Sequence, residues 1–208
     1  MESAEIRTAE GNRYTVFSLW DTYRNLHQLL TLVYPERQLE MVRSMVGMYR
    51  EWGWLPKWEL YGRETFTMEG DPSIPVIVDT WMKGLRDFDM DAAYEAMRKS
   101  ATTPGARNRM RPDIDPYIEK GYVPLGFYAR DLSGDNSVSH ALEYYIADHA
   151  LSLLADSLGK KDDAALFRAR SLGYKNYYST ESGTFRPITK EGKFLTPFDP
   201  RQGENFEP

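Results

Sequence analysis

The chain has 208 residues, of which 41% are apolar and 27% are charged, and this balance predicts a globular protein of one large or two small domains. The net charge of −5 without basic clusters argues against a nucleic-acid partner, and no apolar run approaches the roughly 20 residues that a membrane helix needs. The absence of cysteine excludes disulfides and thiolate chemistry, and the first three residues do not begin a signal peptide.

Six main helices are predicted from apolar residues that recur at helical spacing. After a polar lead-in over residues 1–12, the first helix covers about 18–33, and the second begins at Pro35 and ends at Gly53. The other four cover about 71–85 with Asp71 as the cap, about 91–100, about 137–159 with Ser137 as the cap, and about 162–177 with Asp162 as the cap.

These helices form three hairpins, at about 18–52, 71–100 and 137–179, which indicates an α/α toroid or solenoid. Turn signals at 182–183 and 191–192 predict a small C-terminal β-hairpin near 184–195. The predicted fold class is therefore all-α: three helical hairpins in an arc, with no sheet larger than that hairpin. A single domain is expected over 1–208, with helical pairs at 13–179 and a hairpin and irregular tail at 180–208.

The start of the first helix carries a polar and aromatic cluster. Ser18 is expected to cap the helix, and Asp21 occupies its first turn, where the helix dipole favours a carboxylate. Trp20, Tyr23 and Arg24 lie three or four positions apart and so share one neighbourhood. One interpretation is structural, with an Asp21–Arg24 ion pair and two core aromatics. The other is a sugar-binding helix end, with an apolar ring for stacking and an acceptor for hydroxyl groups.

The loop over 54–64 is unusually aromatic for a connecting segment. It either folds over the end of the core or lines a pocket with Trp54 and Trp58. Further along, Arg107, Arg109 and Arg111 are expected to form a solvated basic spot beside Asp113 and Asp115. The three histidines lack a metal-binding pattern and are assigned structural or surface roles: His27, His140 and His149.

Several ordered segments resemble glycoside hydrolase family 92. They are 17–24 (FSLWDTYR), 53–58 (GWLPKW), 68–72 (MEGDP), 77–79 (IVD), 137–139 (SVS), 142–144 (LEY), 158–161 (LGKK), 174–176 (YKN), 183–187 (GTFRP) and 198–200 (FDP). The family comprises calcium-dependent exo-acting α-mannosidases that invert configuration. Its members have an N-terminal β-sandwich and a C-terminal (α/α)6 toroid, and this chain resembles a partial piece of the toroid.

The resemblance implies a set of substrate-binding residues: Trp20, Asp21, Trp54, Lys57, Trp58 and Glu64. Asp21 would accept hydrogen bonds from hydroxyl groups of a terminal mannose, and Trp20 would shape that subsite. Trp20, Asp21, Trp54 and Trp58 are expected to converge at one end of the arc. Structural roles are expected instead for Asp71 and Asp79 and, as a buttress of the inner ring, for Glu143.

The resemblance also implies that the general acid and base lie beyond Pro208, so no catalytic residue and no metal ligand is assigned in this chain. Calcium is expected in the complete enzyme and not in this chain. The expected partner is a mannose-containing glycan, and self-association through exposed toroid edges is expected. A periplasmic or extracellular location is implied for the full-length protein. Two alternatives remain: another α/α-toroid enzyme acting on polysaccharide, or a non-catalytic helical scaffold or carbohydrate-binding module.

Overall fold

The structure is a computed structural model that describes residues 8–9, 11–105, 107–127, 129–130 and 134–201. Its helices are α1 (Leu19–Thr22), α2 (Leu26–Val33), α3 (Pro35–Trp52), α4 (Ser73–Met82), α5 (Met90–Thr102), α6 (Ile114–Lys120), α7 (Ser137–Ser157) and α8 (Lys161–Ser171), the last followed by a 3-10 helix (Leu172–Asn176). Its strands are β1 (Phe17–Ser18), β2 (Trp58–Leu60), β3 (Arg63–Glu64), β4 (Ala129–Arg130), β5 (Gly134–Asp135), β6 (Tyr178–Ser179) and β7 (Thr184–Phe185). None of the helices described is long and apolar enough to cross a membrane.

The all-α class and the small C-terminal hairpin are confirmed. Helix α2 packs on α3 and α7 packs on α8, while α4 and α5 pack against α3 and α7. Strands β6 and β7 pair antiparallel, and a further bridge joins Ile188 to Phe194. The main core lies between the helices and includes Leu19, Met45, Ile77, Met97, Leu151, Leu154 and Phe167.

The first predicted helix is wrong in one respect, because the structure breaks it between α1 and α2. The break spans residues 23–25, where Asn25 has a φ of −155°. Gln28 Nε2 donates to the Tyr23 carbonyl at 2.7 Å. The apolar spacing continues through this interruption, so it gives no sign of the break. The side chains of Tyr23 and Arg24 instead form hydrogen bonds with Glu143 of α7.

The helix caps differ from those predicted. Helix α4 begins after Pro72, and the Asp71 side chain is buried in an ion pair instead of capping it. Asn136 precedes α7 at the position predicted for Ser137. Lys160 precedes α8, which places Asp162 in its first turn. Asp71 pairs with Arg111 because a carboxylate buried just before α4 needs a charged partner.

The prediction of no sheet larger than the C-terminal hairpin is also wrong. Strands β1, β2 and β3 form a three-stranded antiparallel sheet in the order β1-β2-β3, and β4 pairs with β5. In the first sheet, Phe17 lies opposite Glu59 and Glu59 lies opposite Glu64. These strands have only two or three residues, too few for an alternating apolar pattern to show.

The predicted basic spot is corrected in part. Arg107, Arg109 and Asp115 are exposed, but Arg111 and Asp113 are completely buried. Arg111 pairs with Asp71 and Asp148, while Asp113 binds His140 Nδ1 at 2.7 Å. Burial therefore separates residues that are close neighbours in the sequence.

Candidate functional site

The small sheet joins the start of α1 to the aromatic loop. Ser18 of β1 lies opposite Trp58 of β2, and the Leu19 amide donates to the Lys57 carbonyl at 3.1 Å. Ser18 Oγ donates to Asp21 Oδ2, so the hydroxyl orients the carboxylate and does not bind a backbone N–H of the helix. The result is an exposed carboxylate, a half-buried Trp20 and a half-buried Trp58 at one junction.

The Arg24 guanidinium packs on the aromatic rings of this junction. Its Cζ lies 4.9 Å from the centre of the Trp20 ring and 4.8 Å from that of Tyr23. Arg24 Nη2 donates to Glu143 Oε1 at 2.9 Å, so Arg24 pairs with α7 and not with Asp21 as the structural interpretation proposed. Trp20 Nε1 is buried and has no hydrogen-bond partner among the described residues. Trp20 can therefore offer its ring to a ligand, but not its N–H.

Glu143 joins this junction to α7. Its second oxygen, Oε2, accepts from the Tyr23 hydroxyl at 2.7 Å, and its side chain is only 11% exposed. Burial raises the pKa of Glu143 above its ordinary value, and nearby Glu69 acts in the same direction. The hydrogen bonds from Tyr23 and Arg24 oppose this rise. Glu143 therefore supports the junction by binding two of its residues, a role different from the buttress of the inner ring that was expected.

Two glutamates fix the backbone around β2. Glu64 accepts from the amides of Lys57 at 2.6 Å, Trp58 at 3.0 Å and Phe66 at 2.7 Å. Glu59 is fully buried and accepts from Thr15 Oγ1 at 2.7 Å, from the Val16 amide at 2.8 Å and from the Gly62 amide. Since both Glu64 oxygens are occupied by backbone amides, this carboxylate shapes the loop and is poorly placed to bind a sugar.

Two other predicted site residues point away from the junction. Lys57 is 2% exposed, and its ammonium donates to the carbonyls of Met110 at 2.9 Å and Met68 at 3.3 Å. Trp54 packs against Lys99 of α5, whose Nζ lies 4.7 Å from the ring centre. Backbone pairing places Trp58 opposite Ser18, which lies close to Trp20 and Asp21 in the chain, while Trp54 packs on Lys99 of α5.

Comparison with known proteins decides the family. The family model for the glycosyl hydrolase family 92 catalytic domain matches residues 2–207. The chain belongs to glycosyl hydrolase family 92. Family 92 proteins of known structure include an inverting mannosidase of Bacteroides thetaiotaomicron, which is 32% identical to the chain with a TM-score of 0.83. A family 92 α-mannosidase from the same bacterium, solved with mannoimidazole, is 38% identical with a TM-score of 0.84.

The family 92 chain covers only part of these relatives. The matches to the two solved structures span 91% and 94% of this chain, but 25% of each of the others. An uncharacterized secreted glycosidase of Arthroderma benhamiae is 28% identical over 162 residues, which is 76% of this chain and 21% of that protein. The chain therefore corresponds to about a quarter or less of the length of these proteins.

The backbone around this family 92 junction is strained. Among the residues that the structure describes, four other than glycine have a positive φ: Val16 at 62°, Tyr61 at 51°, Phe66 at 56° and Met68 at 65°. Val16 directly precedes β1 and Tyr61 directly follows β2, while Phe66 and Met68 lie shortly after β3. A β-branched residue such as Val16 is especially unfavourable in this conformation. Backbone strain of this kind is concentrated at functional sites, where surrounding contacts maintain it. Here the hydrogen bonds of Glu59 and Glu64 to the backbone provide such contacts.

Calcium, which the family resemblance implies, does not fit the residues described here. Among them, no group of three or more His, Asp or Glu side chains could hold a metal ion. The carboxylates of Glu59, Glu64 and Glu143 are already bound to backbone or side-chain donors. No step of the chemistry is therefore assigned to calcium in this part of the protein.

Sequence reasoning missed Glu59 and the role of Glu143. A signal was present for Glu59, because Tyr61-Gly62 stands between two short segments that could pair as a hairpin. No comparable signal existed for Glu143, whose partners lie 119 and 120 residues away in the chain.

Proposed function

We propose that this chain forms one wall of the mannose-binding site in the catalytic domain of an exo-acting, inverting α-mannosidase. The observation that carries the proposal is the junction itself, where Ser18 orients the exposed Asp21 carboxylate beside Trp20 and Trp58. A sugar presents hydroxyl groups at its edge and C–H groups on its faces. A carboxylate next to two tryptophans complements both surfaces.

Asp21 would bind the hydroxyl groups. Its carboxylate accepts hydrogen bonds only, and charge-assisted bonds are stronger than those between neutral groups. The Ser18 hydroxyl uses one lone pair of Asp21 Oδ2. The second lone pair of Oδ2 and both lone pairs of Oδ1 remain for sugar hydroxyls. Trp20 and Trp58 would pack against the apolar face of the ring. The similarity to mannosidases, one of them solved with mannoimidazole, supports mannose as the sugar.

Hydrolysis would require groups that we do not assign in this sequence. Inversion uses one carboxylic acid on the leaving oxygen and a carboxylate that activates water, roughly 6.5–9.5 Å apart. The family strings that carry these groups do not occur in the 208 residues. General acid–base catalysis contributes on the order of 10²–10⁴-fold to the rate. We therefore propose that the chain by itself does not hydrolyse mannosides and that calcium binds elsewhere in the complete enzyme.

The test is an α-mannosidase assay on the chain and on a longer form of the protein that contains it. Both are incubated with an aryl α-mannoside, with calcium and with a chelator. We expect hydrolysis only by the longer form, with inversion detected by NMR of the first-formed sugar. A longer form that cleaves a different glycoside and no mannoside would refute the proposed substrate. Hydrolysis by the chain alone would show that the catalytic residues lie within it.

A further inference from the structure

We propose that Glu143 is a positioning residue that holds Arg24 against one face of Trp20, so that the sugar ring binds on the opposite face. This inference rests on the proposed function, because it assigns the orientation of the sugar at the same junction. Glu143 itself does not touch the sugar. Its effect is transmitted through Arg24 and Tyr23.

The geometry supports this role because Glu143 binds both residues at once. Oε1 accepts from Arg24 Nη2 at 2.9 Å, and Oε2 accepts from the Tyr23 hydroxyl at 2.7 Å. The Arg24 guanidinium is then fixed 4.9 Å from the Trp20 ring centre. Without this anchor, a long arginine side chain would sample many conformations, because its rotamer entropy is large.

Glu143 is itself held in place by the backbone behind it. A Cβ added at Gly70 would lie 2.6 Å from Glu143 Cβ, a distance that real Cβ atoms do not tolerate. Gly70 also has a φ of 76°, a conformation that glycine adopts without strain. The segment before α4 can therefore approach the stem of Glu143 closely, which limits how the carboxylate can move.

Arg24 has further donors for a ligand. Its side chain is 46% exposed, and a guanidinium carries five N–H groups, one of which binds Glu143. The N–H groups that do not bind Glu143 could donate to a hydroxyl oxygen of a bound ring. Trp20 Nε1 is buried, so the ring surface is what Trp20 contributes. Since Arg24 covers one face of the Trp20 ring, the proposed subsite uses the opposite face.

A first experiment measures the position of Trp20 without requiring activity. NMR of the ¹⁵N-labelled chain follows the indole N–H signal of Trp20, which is assigned as the signal that is missing in Trp20→Phe. Glu143→Gln and Gly70→Ala should both shift it, whereas Asp87→Asn, which breaks the exposed Arg43–Asp87 pair, should not. Arg24→Lys leaves Glu143 in place but removes the planar guanidinium, so it should also shift the Trp20 signal. This variant keeps the test decisive if Gly70→Ala does not fold. An unchanged signal in Glu143→Gln and Arg24→Lys would overturn the inference.

A second experiment measures binding in a longer form that hydrolyses mannosides. Glu143→Gln should raise KM about tenfold and change kcat little, because it disturbs an orienting contact and not the reacting groups. Arg24→Lys should have the same effect, and the double variant should be no worse than either single one. Additive effects, or equal losses in Asp87→Asn, would overturn the positioning role. If the wild-type form cleaves no mannoside, the proposed function fails, while the NMR result still decides whether Glu143 positions Arg24 and Trp20.

Discussion

Arg111 and Asp148 form an ion pair from which solvent is excluded: Nη1 lies 2.7 Å from Oδ1, and neither side chain is exposed. Asp71 accepts from Arg111 Nε at 3.0 Å, and the Tyr117 hydroxyl donates to the other oxygen of Asp148 at 2.8 Å. Burial raises the pKa of Asp148, and Arg111 and Tyr117 counteract that rise. This network ties the segment before α4 to α6 and α7.

Removal of the shared cation should therefore destabilise the fold. Arg111→Met leaves two buried carboxylates without their partner, and such a change costs about 3–5 kcal/mol. We expect the free energy of unfolding in urea to fall by this amount. Arg107→Met, at an exposed position in the same segment, should change it by less than about 0.5 kcal/mol. Equal stability of the two variants would contradict the structural role of the network.

Asp21→Ala should reduce activity without loss of the fold. The side chain is exposed, and its hydrogen bond in the structure comes from Ser18. Loss of a charged hydrogen bond to substrate, worth about 1.5–3 kcal/mol, should lower kcat/KM about 10- to 100-fold in a form that cleaves mannosides. The matched control is Asp91→Ala, an exposed aspartate in the first turn of α5. A normal kcat/KM for Asp21→Ala would remove Asp21 from the site.

Glu64→Gln should lower stability because it weakens several bonds to the backbone. Glu64 accepts hydrogen bonds from the backbone amides of Lys57, Trp58 and Phe66 through its two carboxylate oxygens. A glutamine side chain has only one acceptor oxygen and cannot accept all of them. We expect a loss of about 2 kcal/mol in the free energy of unfolding. Glu119→Gln, at an exposed position of α6, is the control. If the two variants unfold at the same urea concentration, the loop does not depend on Glu64.

His27 should make stability depend on pH. Burial lowers its pKa below the ordinary value of 6.5, although Gln38 and Asp79 oppose the shift. The unfolded chain then binds the proton more readily than the folded one, so stability decreases as the pH falls from 6.5 towards the folded pKa. His27→Gln should make the urea midpoint less dependent on pH in this window. His149→Gln, at an exposed position, is the comparison, and a larger effect there would contradict the assignment.

Self-association should follow from the apolar surface of α2. Leu29, Leu32 and Val33 are all more than half exposed, with Leu32 at 75%. Contiguous apolar surface of this kind is uncommon on monomers. We expect the average mass in sedimentation to rise with concentration, and Leu32→Glu to suppress the rise. Tyr61→Glu changes an exposed aromatic residue outside α2 and should leave the rise unchanged. A monomer at all concentrations would contradict this prediction.

The sequence predicted those parts of the fold that depend on local signals. Pro35 and Gly53 marked both ends of α3, because proline suits a first turn and glycine adopts the left-handed conformation that ends a helix. The break before α2 left no such mark, and the side chains of Tyr23 and Arg24 at this break bind a distant glutamate. Local spacing also suggested a solvated Arg111, whose partners Asp71 and Asp148 lie 40 and 37 residues away.

The candidate site was predicted as a region but not in its details. The aromatic loop and the start of α1 do meet, as the residue types suggested. The sequence could not show that Glu64 would turn its carboxylate towards backbone amides or that Lys57 would point inwards to Met110. The Phe66 amide and the Met68 carbonyl, both at residues with a positive φ, take part in these contacts.

The contact between Tyr23 and Glu143 spans 120 positions of the chain, and this separation has a consequence for folding kinetics. Contacts that close long loops form slowly, because the entropy of closure must be overcome before the contact stabilises anything. Helix α3 can form early from local hydrogen bonds, whereas the Trp20 face acquires its shape only when α7 docks. During refolding, helical circular dichroism should therefore recover before Trp20 reaches its native environment, and the junction should be among the last parts of the molecule to become native.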